Sequence, residues 1–178
     1  MYVTLQQAMF MVSDFHDKVA GRVIEPLKPE LLNTATINDA IVSTAEVAHQ
    51  FLKDFKESGN PIELRSHLIL EETSELLDAM SIGDELRALD ALADLLYVLI
   101  GTAVTLDLPL PEAFVEVHRS NMTKQKQADD PDAARVRSKG PNYSPPDLKS
   151  ILDNYRRLRD VPMRTMQEEA GNANTGTD

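Results

Sequence analysis

The stretch from Leu70 to Val98 constrains this chain more than any other. It reads LEETSELLDAM, a turn SIGD, then ELRALDALADLLYV. Glu71, Glu72 and Glu75 fall within an arc of roughly 100° on one side of a helix, with Asp78 beside them. Asp90 and Asp94 stand four residues apart and share a face of the next helix. Gly83 suits a helix C-terminus, and Asp84 suits the N-cap that follows. So short a connection favours an antiparallel hairpin. Glu75 and Asp90 are equidistant from the Ile82–Gly83 bond, and so are Glu71 and Asp94. Folding the hairpin therefore brings acid level with acid, twice.

Crowding ionised carboxylates into one cleft costs Coulomb energy and desolvation unless something positive intervenes. Mg²⁺ and Mn²⁺ are the natural remedy. Both prefer oxygen ligands, and Mg²⁺ works with a few carboxylates plus substrate phosphate oxygens. The competing reading is a pair of solvated acidic helix faces, which is an ordinary account of Asp78. Asp94 sits less comfortably in it. Its neighbours Leu92, Ala93, Leu95, Leu96 and Val98 are apolar, and charged groups are rarely buried unless paired or liganded.

Composition sets the remaining bounds. At 178 residues, 42% of them hydrophobic, the chain supports one domain with a real core. That domain is expected over residues 1–160, with a polar, flexible tail over 161–178. The net charge of −11 does not suit duplex nucleic acid or an anionic membrane. It does allow a small anionic substrate, because a bound metal reverses the local sign. The absence of cysteine excludes disulfides and thiolate metal sites and fits a reducing cytosol. No apolar stretch reads as long enough to span a bilayer, and no signal-like segment opens the chain. A cytoplasmic protein without membrane contact is expected.

Periodicity predicts helices throughout. The first is Leu5–Ala20, capped by Thr4 and containing the compact group Asp14, Phe15 and His16. A proline-broken connector follows over Arg22–Thr36. The second helix runs from Asn38 or Asp39 to about Glu57. The third, Pro61–Met80, carries the glutamates, and the fourth runs from Asp84 to about Leu106. The fourth is apolar on most sides after Leu92, which suggests burial at a bundle centre or across a subunit interface. Gly101 within it permits close helix approach. A fifth helix spans Pro111 to about Gln125, an irregular segment covers Ala128–Pro146, and a last helix covers Asp147 to about Asp160. No strand is expected, so the fold class is all-α.

On the fifth helix, His118, Asn121 and Lys124 are spaced to share one face, with Arg119 beside them. In so acidic a chain this cluster is a candidate for phosphate and base contacts. It is equally readable as a basic helix end complementing the helix dipole.

The EExxE of Glu71-Glu72-Thr73-Ser74-Glu75, followed after a turn by DALADLLYV, resembles the MazG-like all-α nucleoside triphosphate pyrophosphohydrolases. Dimeric dUTPases and phosphoribosyl-ATP pyrophosphohydrolases belong to the same superfamily. VSDFHDKV, GTAVTLDLPLPEAFVEVHRSNMTK and SKGPNYSPPDL look like the phage and bacterial branch. The likeness covers most of residues 12–150, with Asn33–Asn60 fitting it less well. One departure stands out: the family's second-motif Glu falls on Ala91, and the adjacent Asp90 shares the face of Asp94.

The resemblance implies a MazG-like helical bundle with its active site on the hairpin. It implies hydrolysis of a nucleoside or deoxynucleoside triphosphate to the monophosphate and pyrophosphate, with dGTP or GTP as the first substrate to try. It implies Mg²⁺ or Mn²⁺ held by Glu72, Glu75 and Asp94, with Asp90 in place of the missing Glu. Glu71 would orient or deprotonate the attacking water and also touch metal. Arg119 and Lys124 would meet phosphate, and His118 and Asn121 would complete the substrate contacts. A homodimer or homotetramer follows from the same likeness, as does the host cytoplasm for a phage-encoded chain. The alternatives are a hydrolase of dUTP, of damaged nucleotides or of a phosphoribosyl-ATP-type substrate, and a non-catalytic metal-binding helical scaffold.

Overall fold

Gly83, between the two acidic stretches, takes the left-handed conformation with φ 71° and ends the third helix. Its N–H donates to Met80 O at 3.2 Å, and the N–H of Asp84 donates to Ala79 O at 3.0 Å. Asp84 then caps the fourth helix by accepting from the N–H of Arg87 at 3.0 Å. The hairpin forms as its turn residues demand.

The computed structural model describes residues 3–20, 34–126 and 137–160. They form α1 (Leu5–Phe15), α2 (Thr34–Ser58), α3 (Pro61–Ile82), α4 (Glu85–Thr105), α5 (Leu110–Met122) and α6 (Leu148–Arg159). A π-helical turn, His16–Ala20, prolongs α1. The fold is all-α. The described chain departs from that only in a two-residue antiparallel ladder, β1 (Gln125–Lys126) against β2 (Arg137–Ser138), which the sequence reading did not expect. The tail over 161–178 and most of the Arg22–Thr36 connector lie outside the described residues. Sequence reading expects one domain; the contacts gather into two compact units.

The middle unit holds α2, α3 and α4, with α3 packed on both others. Its seams are built from small residues. Ala48, Ala79, Ala88, Ala91, Val98 and Ala103 are all buried. Side chains this small let helices approach closely but bury little apolar area each. Two buried polar side chains tie α3 to the α2 backbone. His67 Nδ1 meets the Ala48 carbonyl at 2.9 Å, and Ser74 Oγ donates to the Ile41 carbonyl at 3.3 Å. Gly101 does permit a close approach, but of a side chain rather than a helix. A Cβ placed on it would lie 2.8 Å from Arg65 Nη1 of α3.

For α4, the bundle-centre alternative and the expectation that no apolar stretch is long enough to span a bilayer need correction. The helix is not buried within the single chain: Leu86, Tyr97 and Val104 are 77%, 80% and 75% exposed. Its 21 residues are also long and apolar enough, by length and composition alone, to cross a membrane. The sequence reading missed this because Asp90 and Asp94 punctuate the run.

The other unit comprises α1 with its π turn, α5, the ladder and α6. Phe15 is buried there against Met122, with His16 edge-on at 5.8 Å between ring centroids. Thr4 and Gln7 form a reciprocal capping box at the start of α1. α5 ends at Met122 rather than near Gln125. Lys124 lies beyond the helix and does not continue the face of His118 and Asn121.

Candidate metal centre on the α3–α4 hairpin

The acids of the two helices meet electrostatically at Glu72. The Glu72 carboxyl is held above its usual value, first by burial and then by the charges of Glu75, Asp94, Glu71 and Asp90. Glu72 therefore feels the four other acids singled out in the sequence. Glu72 lies deepest and feels the rest, as a residue turned toward the α3–α4 seam should. Glu75, Asp90 and Asp94 are exposed. Asp94 is not buried as its apolar neighbours suggested: it shares the exposed side of α4 with Leu92 and Ala93, while Leu95 and Leu96 are half-buried and Val98 is buried. Ala91, where the family pattern has Glu, is buried in the seam at 3% exposure, with Asp90 on the exposed side next to it.

Among the described residues, Glu72, Glu75, Asp90 and Asp94 make no hydrogen bond or ion pair. Asp78 differs. It accepts from Arg87 Nη2 at 2.7 Å and belongs to the turn, in keeping with the ordinary reading of that residue. The donor chemistry suits a hard divalent cation: oxygen only, several negative charges and no competing cation paired to them. The side chains as they stand do not enclose one. Among the described residues no three His, Asp or Glu groups are arranged to hold an ion. The electrostatic convergence on Glu72 and the absence of a closed ligand set are reconciled by reach. Charges interact over longer distances than a metal–oxygen bond of roughly 2–2.5 Å, and three of the carboxylates are on the surface and free to turn.

Glu71 stands apart from the other four. Its Oε2 lies 3.4 Å from Nε2 of His67, one turn earlier on α3. The Ala48 carbonyl can only accept, so Nδ1 of His67 carries a hydrogen, and the opposite nitrogen faces Glu71. Sequence reasoning passed over His67. The i, i+4 spacing to Glu71 was the available signal.

The residues proposed from α5 divide. His118 and Asn121 line a cleft of about 200 Å³ in their own unit, with Phe15, His16, Phe114 and Val117. Aromatic and aliphatic walls with a few polar groups suit a flat, partly polar ligand. Arg119 is otherwise engaged. It makes a two-pronged bond to Glu116 at 2.7 and 2.8 Å, and donates to Ser144 Oγ at 3.0 Å and Pro145 O at 2.9 Å. The same network draws the Glu116 carboxyl down to about 2, chiefly through the Arg119 hydrogen bond and then the N–H of Asp147. The half-buried Lys124 follows the C-terminus of α5, its N–H donating to Asn121 O at 3.0 Å.

No curated protein and no solved structure matches the chain. A family model does match, over residues 34–121, just under half of the chain. The match includes the 33–60 region that seemed to fit the resemblance less well, apart from its first residue. It also takes in the whole hairpin and all five acids. The family is phosphoribosyl-ATP pyrophosphohydrolase, and the segment from residue 34 to 121 is similar to a domain of that pyrophosphohydrolase family.

Proposed function

We propose that this chain hydrolyses a nucleoside or deoxynucleoside triphosphate to the monophosphate and pyrophosphate, with Mg²⁺ or Mn²⁺ at the α3–α4 hairpin. The observation that carries this reading is the Glu72 carboxyl, pushed up by burial and by Glu75, Asp94, Glu71 and Asp90, of which all but Glu71 are without an ion pair among the described residues. Glu72, Glu75 and Asp94 would hold the ion, with Asp90 serving where the family's Glu is replaced by Ala91. When bound, the cation would offset the charge of the polyphosphate and make water a better nucleophile.

The chain's own residues supply orientation. Glu71 orients the attacking water and takes its proton at a carboxylate oxygen. His118 and Asn121 face a cleft suited to a nucleobase, between the rings of Phe15 and Phe114. Lys124 is the positive group available for phosphate beyond α5. Arg119 contributes its charge only with Glu116 attached. The broad exposed face of α4 is covered by a second copy of the chain, giving a homodimer or a dimer of dimers in the cytoplasm.

A second reading has a specific observation behind it. The matching family acts on phosphoribosyl-ATP, so a nucleotide derivative of that class belongs on the same test. The test is pyrophosphate release from a panel of NTPs, dNTPs and phosphoribosyl-ATP, with Mg²⁺, Mn²⁺ or EDTA, dGTP and GTP leading. Metal-dependent release with one preferred base establishes the reaction. Release only from phosphoribosyl-ATP selects the second reading. No release from any of them, with folded protein that binds Mn²⁺, overturns both and leaves a non-catalytic metal-binding scaffold.

A further inference from the structure

Arg65 is the cation the sequence reading left without a task. It stands on α3 seven residues before Glu72, and Gly101 stands on α4 seven residues after Asp94. Seven residues come within about 20° of two whole turns. Arg65 therefore shares the face of Glu72, and Gly101 shares the face of Asp94. The hairpin register agrees, because counting outward from the Ile82–Gly83 bond brings Arg65 level with Ile100, next to Gly101. The contact agrees: Arg65 Nη1 lies 2.8 Å from the point a Cβ of residue 101 would occupy. A methyl group at residue 101 would oblige the guanidinium to move from its place across α4.

The side chain is half-buried, and among the described residues it makes no hydrogen bond or ion pair. That is an unusual condition for an arginine in a chain with 29 acidic residues. Guanidinium groups carry five donors in a planar fork matched to carboxylate or phosphate. The basic residue nearest the turn, Arg87, has found Asp78. Arg65 instead faces the same α3–α4 seam as the five acids, about 10 Å along the helix from Glu72. The seam is thus negative at one end and positive at the other. A ligand that satisfies both ends carries a divalent cation at one end and an anionic group at the other, as a metal-bound polyphosphate does.

We infer that Arg65, lying across Gly101, binds the phosphate end of the substrate that becomes pyrophosphate, two helical turns from the metal-binding carboxylates. This rests on the pyrophosphohydrolase reading above and adds the residue that holds the leaving group. Arg65 then supplies charge-assisted hydrogen bonds to phosphate oxygens that are present in substrate and in released pyrophosphate, and absent from the monophosphate product.

Two substitutions test it from opposite helices. Arg65→Met keeps the apolar stem and removes the fork. Gly101→Ala leaves Arg65 in the sequence but puts a methyl group 2.8 Å from Nη1, pushing the guanidinium aside, and alanine favours the helix, so the fold should be no less stable. Both variants should raise KM about 10- to 100-fold and weaken inhibition by pyrophosphate by a similar factor. Inhibition by the nucleoside monophosphate should be unchanged. Arg65→Lys, a point charge without the fork, should recover part of the loss. Unchanged KM and pyrophosphate inhibition in both variants, with an active parent protein, overturn the role of Arg65 and leave the pyrophosphohydrolase reading standing. Should the parent protein release no pyrophosphate from any nucleotide, calorimetric binding of Mg²⁺-pyrophosphate decides the matter alone. Binding weakened in both variants upholds the anion site, and equal or absent binding overturns it.

Discussion

Two carboxylates on α3 carry separable predictions. Glu75 is exposed and unpaired among the described residues, so its replacement by Gln should leave the helices intact. Pyrophosphate release in Glu75→Gln should fall roughly 100-fold or more, with circular dichroism and melting unchanged. Retained activity would remove Glu75 from the metal centre. Asp90→Asn should also impair turnover if Asp90 stands in for the acid missing at Ala91; normal kinetics would return it to the solvated face. Glu72 makes a different prediction, because its carboxyl is raised in the folded chain. A raised acid favours the folded state while protonated. Its unfavourable contribution is therefore absent below the ordinary value near 4.5 and grows as pH rises through the folded value. Glu72→Gln should lift the metal-free melting point at neutral pH slightly, because partly solvated like-charge contacts are weak. It should also abolish the stabilisation that Mg²⁺ gives the parent protein, a combination read by melting with and without Mg²⁺.

At the scale of elements, the Glu116–Arg119 pair clasps α5 to the segment that starts α6. Arg119 holds Ser144 and Pro145, Glu116 accepts from the N–H of Asp147, and Asp147 caps α6 by accepting from the N–H of Ser150 at 3.1 Å. The Glu116 carboxyl, lowered to about 2, contributes stability fully above pH 4.5 and loses it as pH falls through about 2. Glu116→Gln should flatten acid unfolding across that window and speed amide exchange at Asp147 about tenfold or more. An unchanged exchange rate would dissolve the clasp.

Helix limits were the most legible part of this chain. Thr4, Gly83 and Asp84 cap as the sequence reading expects, and Asn60 and Asp147 prove to be N-caps as well, whereas α2 starts at Thr34 rather than at Asn38 or Asp39. Local hydrogen bonds decide such positions, and local sequence records them. The acids' mutual influence was legible for the same reason, since two symmetric spacings about one turn fix the register. What escaped were partners far apart in sequence. Nothing local marks Arg119 for Ser144 and Pro145, His67 for the Ala48 carbonyl, or Arg65 for Gly101. The early end of α5 at Met122 was equally hidden, because Lys124 continues the spacing on paper after the helix has stopped.

At the scale of the molecule, small side chains in the seams and large ones outside give a single chain little to hold it. Among the described residues no large side chain is fully buried, while Leu86, Leu89, Leu92, Tyr97 and Val104 of α4 are exposed. Exposed apolar patches of that kind mark interfaces. A bilayer is a poor occupant, since each aspartate near the middle of a spanning helix costs roughly 2.5–3.5 kcal/mol and α4 carries Asp90 and Asp94. A second copy is the better one. Light scattering should give at least twice the 19.8 kDa chain mass. Leu89→Glu should return the protein to that mass, and an unchanged assembly would place the interface elsewhere.

The mirrored hairpin also governs how such a chain can change over generations. Lengthening α3 by one residue between Glu75 and Gly83 would swing the three glutamates about 100° away from Asp90 and Asp94. Four added residues would swing them only about 40° but lift them a full turn out of level. Neither helix can gain or lose length alone. Only paired changes on both sides of Gly83, or growth of the turn itself, keep the two halves in step.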